Sequence, residues 1–183
     1  MVATTNAGKL RDIRTLFTDY AIVSAAEVGF HDEIDETGAT FMENALLKAR
    51  TVCRATGLPT LADDSGLCVD ALEGAPGLYS ARWSGQGMAA NRQLLLQKLQ
   101  GQTNRAAHFC CAVALVYPDG REYTAEGQTQ GVITTEEKGQ NGFGYDCLFL
   151  SDDLGKTFAE ADLTEKNTVS HRGRALKNLL EKM

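Results

Sequence analysis

The sequence predicts an α/β fold built around a mixed β-sheet. Stretches with the apolar spacing of helices alternate along the chain with short apolar stretches typical of strands. Two longer strand-like stretches, 107–117 and 122–130, flank Pro118-Asp119-Gly120, which is a strong turn signal and predicts a β-hairpin. An antiparallel hairpin beside alternating helices and strands makes the predicted sheet mixed rather than purely parallel.

The length and composition are those of an ordinary globular chain. The 183 residues allow one domain or two small lobes, and they can bury a core without disulfides or metal ions. Apolar residues make up 43% and charged residues 23%, which excludes a disordered chain. No apolar run is long enough for a membrane span, and the N-terminus lacks the pattern of a secretion signal. We therefore expect a cytoplasmic protein with one domain, residues 1–183, and no membrane contact.

Charge and cysteine content narrow the function classes further. The net charge of −6 argues against a nucleic-acid binder, whose surface is usually basic, but a phosphate-bearing small molecule needs only a few local cations. The five cysteines are odd in number and contain no C-x-x-C pair, so they suggest neither a disulfide framework nor a zinc site. Thiols kept reduced in the cytosol are the interpretation we prefer.

The elements follow from periodicity and from start and stop signals. In chain order we predict strand 1–5, a helix after Asn6, strand 21–25, helix 40–56, strand 60–62, a Gly-rich loop 73–87, helix 89–100, the hairpin, a Gly-rich loop 141–145, strand 146–150 and helix 171–182. Thr40 and Glu43 have the spacing of a capping box, and Ser170 is the natural N-cap of the last helix.

The turn between the first strand and the first helix has phosphate-binding chemistry. Its residues are Thr4, Thr5, Asn6, Ala7, Gly8 and Lys9. Small and hydroxyl residues let backbone N–H groups approach an anion, while the helix N-terminus and Lys9 add positive charge. The spacing is not that of a P-loop. A plain capped turn, with Asn6 as N-cap and Lys9 in solvent, is the alternative.

A pair of aspartates follows the predicted strand 60–62. Adjacent strand residues point to opposite faces, so Asp63 and Asp64 share a site only if the strand ends there, and Gly66 permits such a bend. Paired carboxylates suit Mg²⁺, and one member of a pair can have a raised pKa and act as a general base. An acidic turn in which an aspartate caps a backbone N–H is the alternative.

Two segments carry further charged candidates. The acidic stretch 32–37 reads first as a solvated loop, although it can lend a carboxylate to a metal site. Lys48 lies one helical turn after Asn44, so both side chains face the same way and Lys48 becomes a candidate for phosphate contact. Solvent exposure is the alternative for Lys48.

Two segments carry candidates for recognition of a planar base. In Gly142-Phe143-Gly144-Tyr145-Asp146, aromatic residues and glycines can present a ring face and backbone groups, unless the aromatic ring lies in the core. At the start of the last helix, Ser170, His171 and Arg172 follow Lys166 and offer donors for carbonyl oxygens or phosphates. Simple capping with exposed side chains is the alternative there.

Taken together, these motifs describe a Mg²⁺-dependent enzyme that acts on a nucleoside polyphosphate. The chain resembles the inosine triphosphate pyrophosphatase family, also called XTP/dITP diphosphatases or non-standard purine NTP pyrophosphatases. The matching stretches are ATTNAGK, ETGATFMENALLKA, LADDSGLCVDAL, GAPGLYSARWSG, NGFGYDCLF and TEKNTVSHRGRAL. They cover the chain nearly end to end.

The resemblance implies the fold, the reaction and the site residues. It implies an elongated mixed sheet flanked by helices, two lobes with a central substrate cleft, and a homodimer. It implies hydrolysis of ITP, dITP and XTP to monophosphate and pyrophosphate with Mg²⁺, or alternatively Mn²⁺, which cleanses the nucleotide pool. By position, Asp64 matches the catalytic base, and the metal-side residues are Glu36, Asp64 and Asp63. The substrate-side residues implied are Thr4 to Lys9, Lys48, Ser65, Phe143, Gly144, Tyr145, Asp146, Lys166, His171 and Arg172.

Two positions depart from the family pattern. The family often has Gly at the position of Thr5 and Pro at the position of Cys147. Loss of that proline frees the backbone of the loop 142–146, which we call the aromatic loop.

The sequence leaves other functions open. A pyrophosphatase acting on modified pyrimidine nucleotides is the first alternative. A catalytically silent nucleotide sensor and a plain interaction module are the others.

Overall fold

The computed structural model describes residues 1–4 and 6–183 and confirms the predicted α/β class. Its helices are α1 (Ala7–Leu16), α2 (Phe41–Thr56), α3 (Met88–Lys98), α4 (Leu163–Val169) and α5 (His171–Leu180). Its strands are β1 (Thr60–Val69), β2 (Ala106–Val116), β3 (Glu122–Ile133) and β4 (Phe149–Ser151). Among the described residues, no helix has both the length and the apolar character required to cross a membrane.

The four strands form one sheet in the order β1-β2-β3-β4. The predicted hairpin joins β2 and β3, and the Tyr117 N–H donates to the Arg121 carbonyl at 2.9 Å across the turn. Strand β4 runs antiparallel to β3. Val2 makes isolated parallel bridges to Ser24 and to Leu61 outside the four named strands, so the parallel pairing that the sequence predicts for the sheet is seen here only as these bridges.

Four of the predicted strands differ from the structure. The predicted strands 1–5 and 21–25 reduce to isolated bridges at Val2 and Ser24. Strand β1 does not end at residue 62 but continues to Val69, because the later apolar residues of the strand are fully buried. Of the predicted strand 146–150, the structure keeps the end as β4, which runs one residue further.

The starts of two helices depend on carboxylate caps. At α2, the Thr40 hydroxyl accepts from the Glu43 N–H at 3.1 Å, as predicted. The Glu43 carboxylate, however, accepts from the Ala39 N–H at 2.6 Å rather than from Thr40, so the capping box is displaced by one residue. Helix α4 was not predicted, although Asp162 and Glu165 form a complete capping box at its start.

The chain forms two compact units, each with its own core. The first unit comprises residues 1–64, 111–127 and 172–183. Within it, Leu61 and Val113 pack with apolar residues of α1 and α5, whereas Ala62 and Ala114 pack with residues of α2. Successive strand residues point to opposite faces, so this unit has three layers, with helices on both sides of the strands.

The second unit comprises residues 65–110 and 128–171. Its core is built on aromatic rings: the Phe149 ring centroid lies 4.7 Å from that of Phe109 and 5.0 Å from that of Phe158. Leu95 and Leu99 of α3 are fully buried in the same cluster. The predicted Gly-rich loop 141–145 belongs to this unit.

Candidate functional site

Asp64 lies against α2, where it meets two other predicted site residues, Glu36 and Lys48, and one further residue, Asn44. The Lys48 ammonium donates to Asp64 Oδ1 at 3.2 Å and to Glu36 Oε1 at 2.6 Å. The Asn44 amide donates to Asp64 Oδ2 at 3.0 Å, from the same face of α2 as Lys48. We call Glu36, Asn44, Lys48 and Asp64 the carboxylate cluster. It places two carboxylates around a single cation.

Asn44 is a site residue that the sequence reasoning did not select. Its side chain is almost completely buried, and its Oδ1 accepts from the Gly38 N–H at 2.8 Å. A side chain at position 38 would collide with it, since a Cβ there would lie 2.7 Å from Asn44 Oδ1. Asn44 therefore ties the loop that carries Glu36 to the helix that faces Asp64. The signal available in the sequence was its helical spacing from Lys48.

Electrostatics in the carboxylate cluster favour an Asp64 that can accept a proton. Burial raises the pKa of Asp64; the charge of Lys48 opposes this effect and the charge of Glu36 adds to it, so the pKa stays above its usual value. For Lys48, burial lowers the pKa, but Asp64, Asp63 and Glu36 outweigh burial and raise it. Lys48 therefore stays cationic.

Asp63 does not share this cluster with Asp64. The prediction that the strand ends before the aspartates is wrong, because β1 continues past both of them. Consecutive side chains on a strand leave opposite faces, so Asp63 points towards the α1 and α5 side. There its Oδ2 lies 3.0 Å from the Lys9 ammonium and 3.2 Å from the Arg172 guanidinium.

Asp63 belongs instead to a buried ion-pair network. Arg172 Nη1 lies 2.7 Å from Asp12 Oδ2, and both side chains are only 2% exposed. We call Lys9, Asp12, Asp63 and Arg172 the Asp63 network. Burial acts to raise the pKa of Asp63, but the charges of Lys9 and Arg172 outweigh it and hold that pKa well below its usual range. Arg172, predicted at the base end of the substrate, is here a counter-ion for two aspartates.

The sequence reasoning missed two residues here, one within the Asp63 network and one beside it. Asp12 lies on α1 beside its apolar residues, and a buried aspartate in such a place requires a partner. Cys111 Sγ lies 4.0 Å from Asp63 Oδ2. Burial and the nearby Asp63 charge raise the pKa of Cys111 to about 12, so this cysteine stays a neutral thiol.

The turn before α1 is a capped helix start. Asn6 Oδ1 accepts from the N–H groups of Gly8 and Lys9 at 2.9 and 3.1 Å, and Thr4 Oγ1 accepts from the Asn6 N–H at 3.1 Å. Asn6 is thus the N-cap and Ala7 begins the helix, as the capped-turn alternative states. Lys9 is not in solvent, because it pairs with Asp63. The predicted contact at Thr5 lies outside the described residues.

The second unit brings the aromatic loop and α4 together. Asp146 Oδ2 accepts from the Phe143 N–H at 2.8 Å and from the Lys166 ammonium at 2.6 Å. The same ammonium lies 4.9 Å from the centroid of the Phe143 ring. We call Phe143, Asp146 and Lys166 the Asp146 cluster. The carboxylate fixes both the loop backbone and the cation, and the cation lies over the ring.

The remaining predicted residues of the base end have structural contacts. Tyr145 is buried, and its hydroxyl donates to the Ser80 carbonyl at 3.0 Å. The His171 ring stacks on the Phe109 ring, with centroids 4.7 Å apart and planes 13° apart. The alternative in which His171 and Arg172 are exposed is wrong, since both are buried. Ser65 lies half-buried on β1, and Gly144 has a φ of +67° that favours glycine.

Gly142→Ala is expected to destabilise the protein more than Gly155→Ala does. Both glycines have positive φ, so either alanine costs ~1–2 kcal/mol of backbone energy. A Cβ at position 142 would also overlap the Asp146 carboxylate, whereas position 155 is open. Displacing that carboxylate from its partners adds ~1–3 kcal/mol. Urea unfolding of the two variants measures the difference, and equal losses would contradict this reading of the loop.

The sequence as a whole matches one family model. Residues 1–182 match the model of the Ham1 family. The chain belongs to the Ham1 family. It is 47% identical to the dITP/XTP pyrophosphatase of Streptomyces avermitilis, over 98% of this chain and 94% of that protein. It is also 47% identical to the dITP/XTP pyrophosphatase of Haemophilus influenzae, over 100% and 97% of the two chains.

Solved Ham1 structures agree with this assignment. The structure of a HAM1 protein from Coxiella burnetii superimposes with a TM-score of 0.88 at 39% sequence identity, and the match covers 100% of this chain and 98% of that one. The α/β arrangement of this Ham1-family protein is therefore that of solved relatives.

Proposed function

We propose that this Ham1-family protein hydrolyses the non-standard purine nucleoside triphosphates ITP, dITP and XTP to the monophosphate and pyrophosphate. Such hydrolysis keeps these nucleotides out of DNA and RNA. Curated relatives named dITP/XTP pyrophosphatase support the proposal, because they match this chain over nearly its whole length. The observation that carries it is the carboxylate cluster, in which Glu36 and Asp64 converge on one cation beside an amide that orients Asp64.

Mg²⁺, with Mn²⁺ as the alternative, is the cofactor we propose. The donor set fits such an ion: carboxylate oxygens are its preferred protein ligands, and those of Glu36 and Asp64 already converge on the Lys48 ammonium. When bound, the ion supplies charge neutralisation at the phosphates and a lowered pKa for a water molecule. Asp63 is less suited as a ligand, because Lys9 and Arg172 already occupy it.

The residues of the carboxylate cluster have different roles in the proposed reaction. Asp64 accepts the proton of the attacking water, for which its raised pKa is suited. Asn44 holds the other carboxylate oxygen and so orients Asp64. Lys48 neutralises charge on the phosphate chain. Lys9, which the resemblance also places on the phosphates, holds Asp63 in this structure.

The Asp146 cluster is the part we propose for base recognition. A ring face at Phe143 suits a planar purine, and Lys166 is a donor for its carbonyl oxygen. A 6-oxo purine accepts such a hydrogen bond, whereas the adenine amino group leaves the donor unmatched. An unmatched buried polar group costs ~1–3 kcal/mol, which sets the scale of the selectivity expected against ATP.

Phe143→Leu is expected to raise KM for ITP and dITP while leaving kcat nearly unchanged. Stacking of a base on an aromatic side chain contributes ~1–3 kcal/mol, so KM should rise ~5–150-fold. Phe30→Leu is the matched control, since Phe30 is another half-buried aromatic residue outside the cluster. Steady-state kinetics of both variants decides the point, and an unchanged KM in Phe143→Leu would remove the ring from base recognition.

The test of the whole proposal is pyrophosphate release from ITP, dITP, XTP, ATP, GTP, dUTP and dTTP, with and without Mg²⁺. We expect fast, Mg²⁺-dependent release from the first three and little from ATP. Guanine shares the 6-oxo group, so the little release that we also expect from GTP requires discrimination at the 2-position of the base. Release from a pyrimidine triphosphate would overturn the base assignment but not the chemistry of the carboxylate cluster. No release from any of them, with nucleotide still bound, would identify a sensor instead.

We further propose that the protein is a cytoplasmic homodimer. All five cysteines lie in the described part of the chain and none forms a disulfide there, which supports a reducing compartment. Tyr79 is 60% exposed and is the kind of large side chain that a subunit interface covers. Sedimentation equilibrium should give twice the chain mass of 19.8 kDa.

A further inference from the structure

Three side chains of the second unit form a cluster with metal-ligand chemistry. The ligand atoms of Cys68, His108 and Cys110 all lie within 4.8 Å of one another. Cys68 lies on β1, and His108 and Cys110 lie on β2, the neighbouring strand. Strand residues two apart share a face, so His108 and Cys110 point the same way, towards Cys68.

The cluster lies on the more accessible face of these two strands. Cys68, His108 and Cys110 are half-buried, whereas the residues before and after each of them are buried. Ions can therefore reach the cluster from solvent. The strands also hold the three side chains on a rigid sheet, so little order has to be gained when they bind an ion.

We propose that Cys68, His108 and Cys110 bind a Zn²⁺ ion, with a water molecule as the fourth ligand. Thiolate and imidazole are the ligands that Zn²⁺ prefers, and three protein ligands with one open position are a known tetrahedral arrangement. In such a site the ligand atoms lie ~3.5–3.8 Å apart. Rotation of the side chains on the two paired strands shortens the observed separations of up to 4.8 Å to these values.

Two neighbouring features assist this site. The Asp70 carboxylate lies 3.9 Å from His108 Nδ1, which is too far for a hydrogen bond but near enough to place a negative charge beside a bound cation. Cys68 and Cys110 are hydrogen-bonded to each other, and this contact lowers the pKa of the Cys68 thiol. A thiol pair so close can alternatively form a disulfide, and the experiment must separate the two outcomes.

A zinc ion at these residues would differ in its ligands from the metal ion proposed for the carboxylate cluster. The carboxylate cluster offers hard oxygen ligands in the first unit, whereas Cys68, His108 and Cys110 offer sulfur and nitrogen in the second. Zinc binding is therefore independent of whether the protein hydrolyses nucleotides. Motif spacing did not reveal it, because the ligands come from two strands and form no C-x-x-C pair.

The test is a Co²⁺ titration of the reduced, metal-free full-length protein, followed by displacement with Zn²⁺. Wild type should bind one Co²⁺ per chain with strong thiolate-to-cobalt charge-transfer absorption, and Zn²⁺ should abolish that absorption. Cys68→Ser and Cys110→Ser should lose it, His108→Ala should weaken it, and Cys147→Ser, which removes a half-buried cysteine outside the cluster, should keep it. Asp70→Asn should bind Co²⁺ more weakly than wild type, because the variant loses a negative charge beside the bound cation.

A second measurement avoids variants that fold poorly. Zn²⁺ should protect Cys68 and Cys110 of the wild type from alkylation, read by mass spectrometry, and leave Cys147 equally reactive. Absence of the thiolate absorption in wild type, or equal alkylation of all three cysteines with and without Zn²⁺, would overturn the site. A Cys68–Cys110 disulfide that persists in protein purified under reductant would overturn it as well.

Discussion

Asp64→Asn is expected to lower kcat for the preferred triphosphate by ~10²–10⁴-fold, the usual contribution of a general base. The amide has the shape of the carboxylate but cannot accept the proton, and it removes one of the two charges that converge on Lys48. Lys48 keeps Glu36 at 2.6 Å, so the fold should survive. Pyrophosphate release measures the loss, and circular dichroism with urea unfolding verifies the fold.

Glu122→Gln is the matched control for Asp64→Asn. Glu122 is also a strand carboxylate paired with a cation, since it contacts Arg50 at 2.7 Å, but its side chain is 30% exposed and lies outside the carboxylate cluster. Its amide variant should keep wild-type turnover. Turnover near wild type in Asp64→Asn would remove Asp64 from the chemistry, whatever the substrate.

The pH dependence of kcat is a second test of Asp64 as the general base. Burial raises the pKa of its carboxyl, and the base functions only when ionised. Activity should therefore fall as pH decreases through the pKa of this carboxyl, which a bound cation lowers from its value in the metal-free protein. A kcat that falls at no pH at which the protein stays folded would contradict the assignment.

Arg172→Met is expected to destabilise the folded protein by ~3–5 kcal/mol. The variant keeps most of the apolar volume but leaves the buried Asp12 and Asp63 without their shared counter-ion at 2.7 and 3.2 Å. Lys9 remains as a partner for Asp63, whereas Asp12 loses its ion pair with Arg172. Urea unfolding at neutral pH measures the effect.

An exposed ion pair provides the control for Arg172→Met. Arg121 and Asp119 lie 2.8 Å apart, but their side chains are 60% and 54% exposed, so Arg121→Met should cost under ~1 kcal/mol. Equal losses in the two variants would show that burial of the Asp63 network contributes nothing. Retention of full stability in Arg172→Met would exclude its role as a counter-ion.

Acid unfolding tests whether the ion pairs of Asp63 stabilise the folded protein. The pKa of Asp63 is lowered in the folded protein, so its ion pairs stabilise the fold above the unfolded pKa of ~3.9 and are lost as pH falls below it. Arg172→Met removes one source of that lowering. Its acid transition should therefore lie at higher pH than that of wild type.

Most helices and strands are predicted by local patterns in the sequence. Apolar spacing and caps predicted α1, α2, α3 and α5, and the turn residues between β2 and β3 predicted the hairpin. These signals act within a few residues, so they are visible in one sequence. The prediction lacks helix α4, although Asp162 has the residue type of a helix N-cap. It also ends β1 too early, because an aspartate pair is more typical of a turn than of a strand interior.

The candidate site was predicted in part. The spacing of Asn44 and Lys48 indicated a shared helix face, and both meet Asp64 there. No spacing indicated that Arg172 pairs with Asp12, because the two residues are 160 positions apart. Long-range pairing depends on which layers pack together, and that information is not local.

By itself, the sequence determined the α/β class, the positions of most elements and the residue types available for phosphate and base chemistry, since these depend on local periodicity and side-chain chemistry. Only the tertiary structure decided how the two aspartates are used. Because β1 continues past them, its alternation turns Asp64 towards α2 and the carboxylate cluster and turns Asp63 towards α1, α5 and Arg172. One residue of strand register thus separates a candidate catalytic base from a buried structural ion pair.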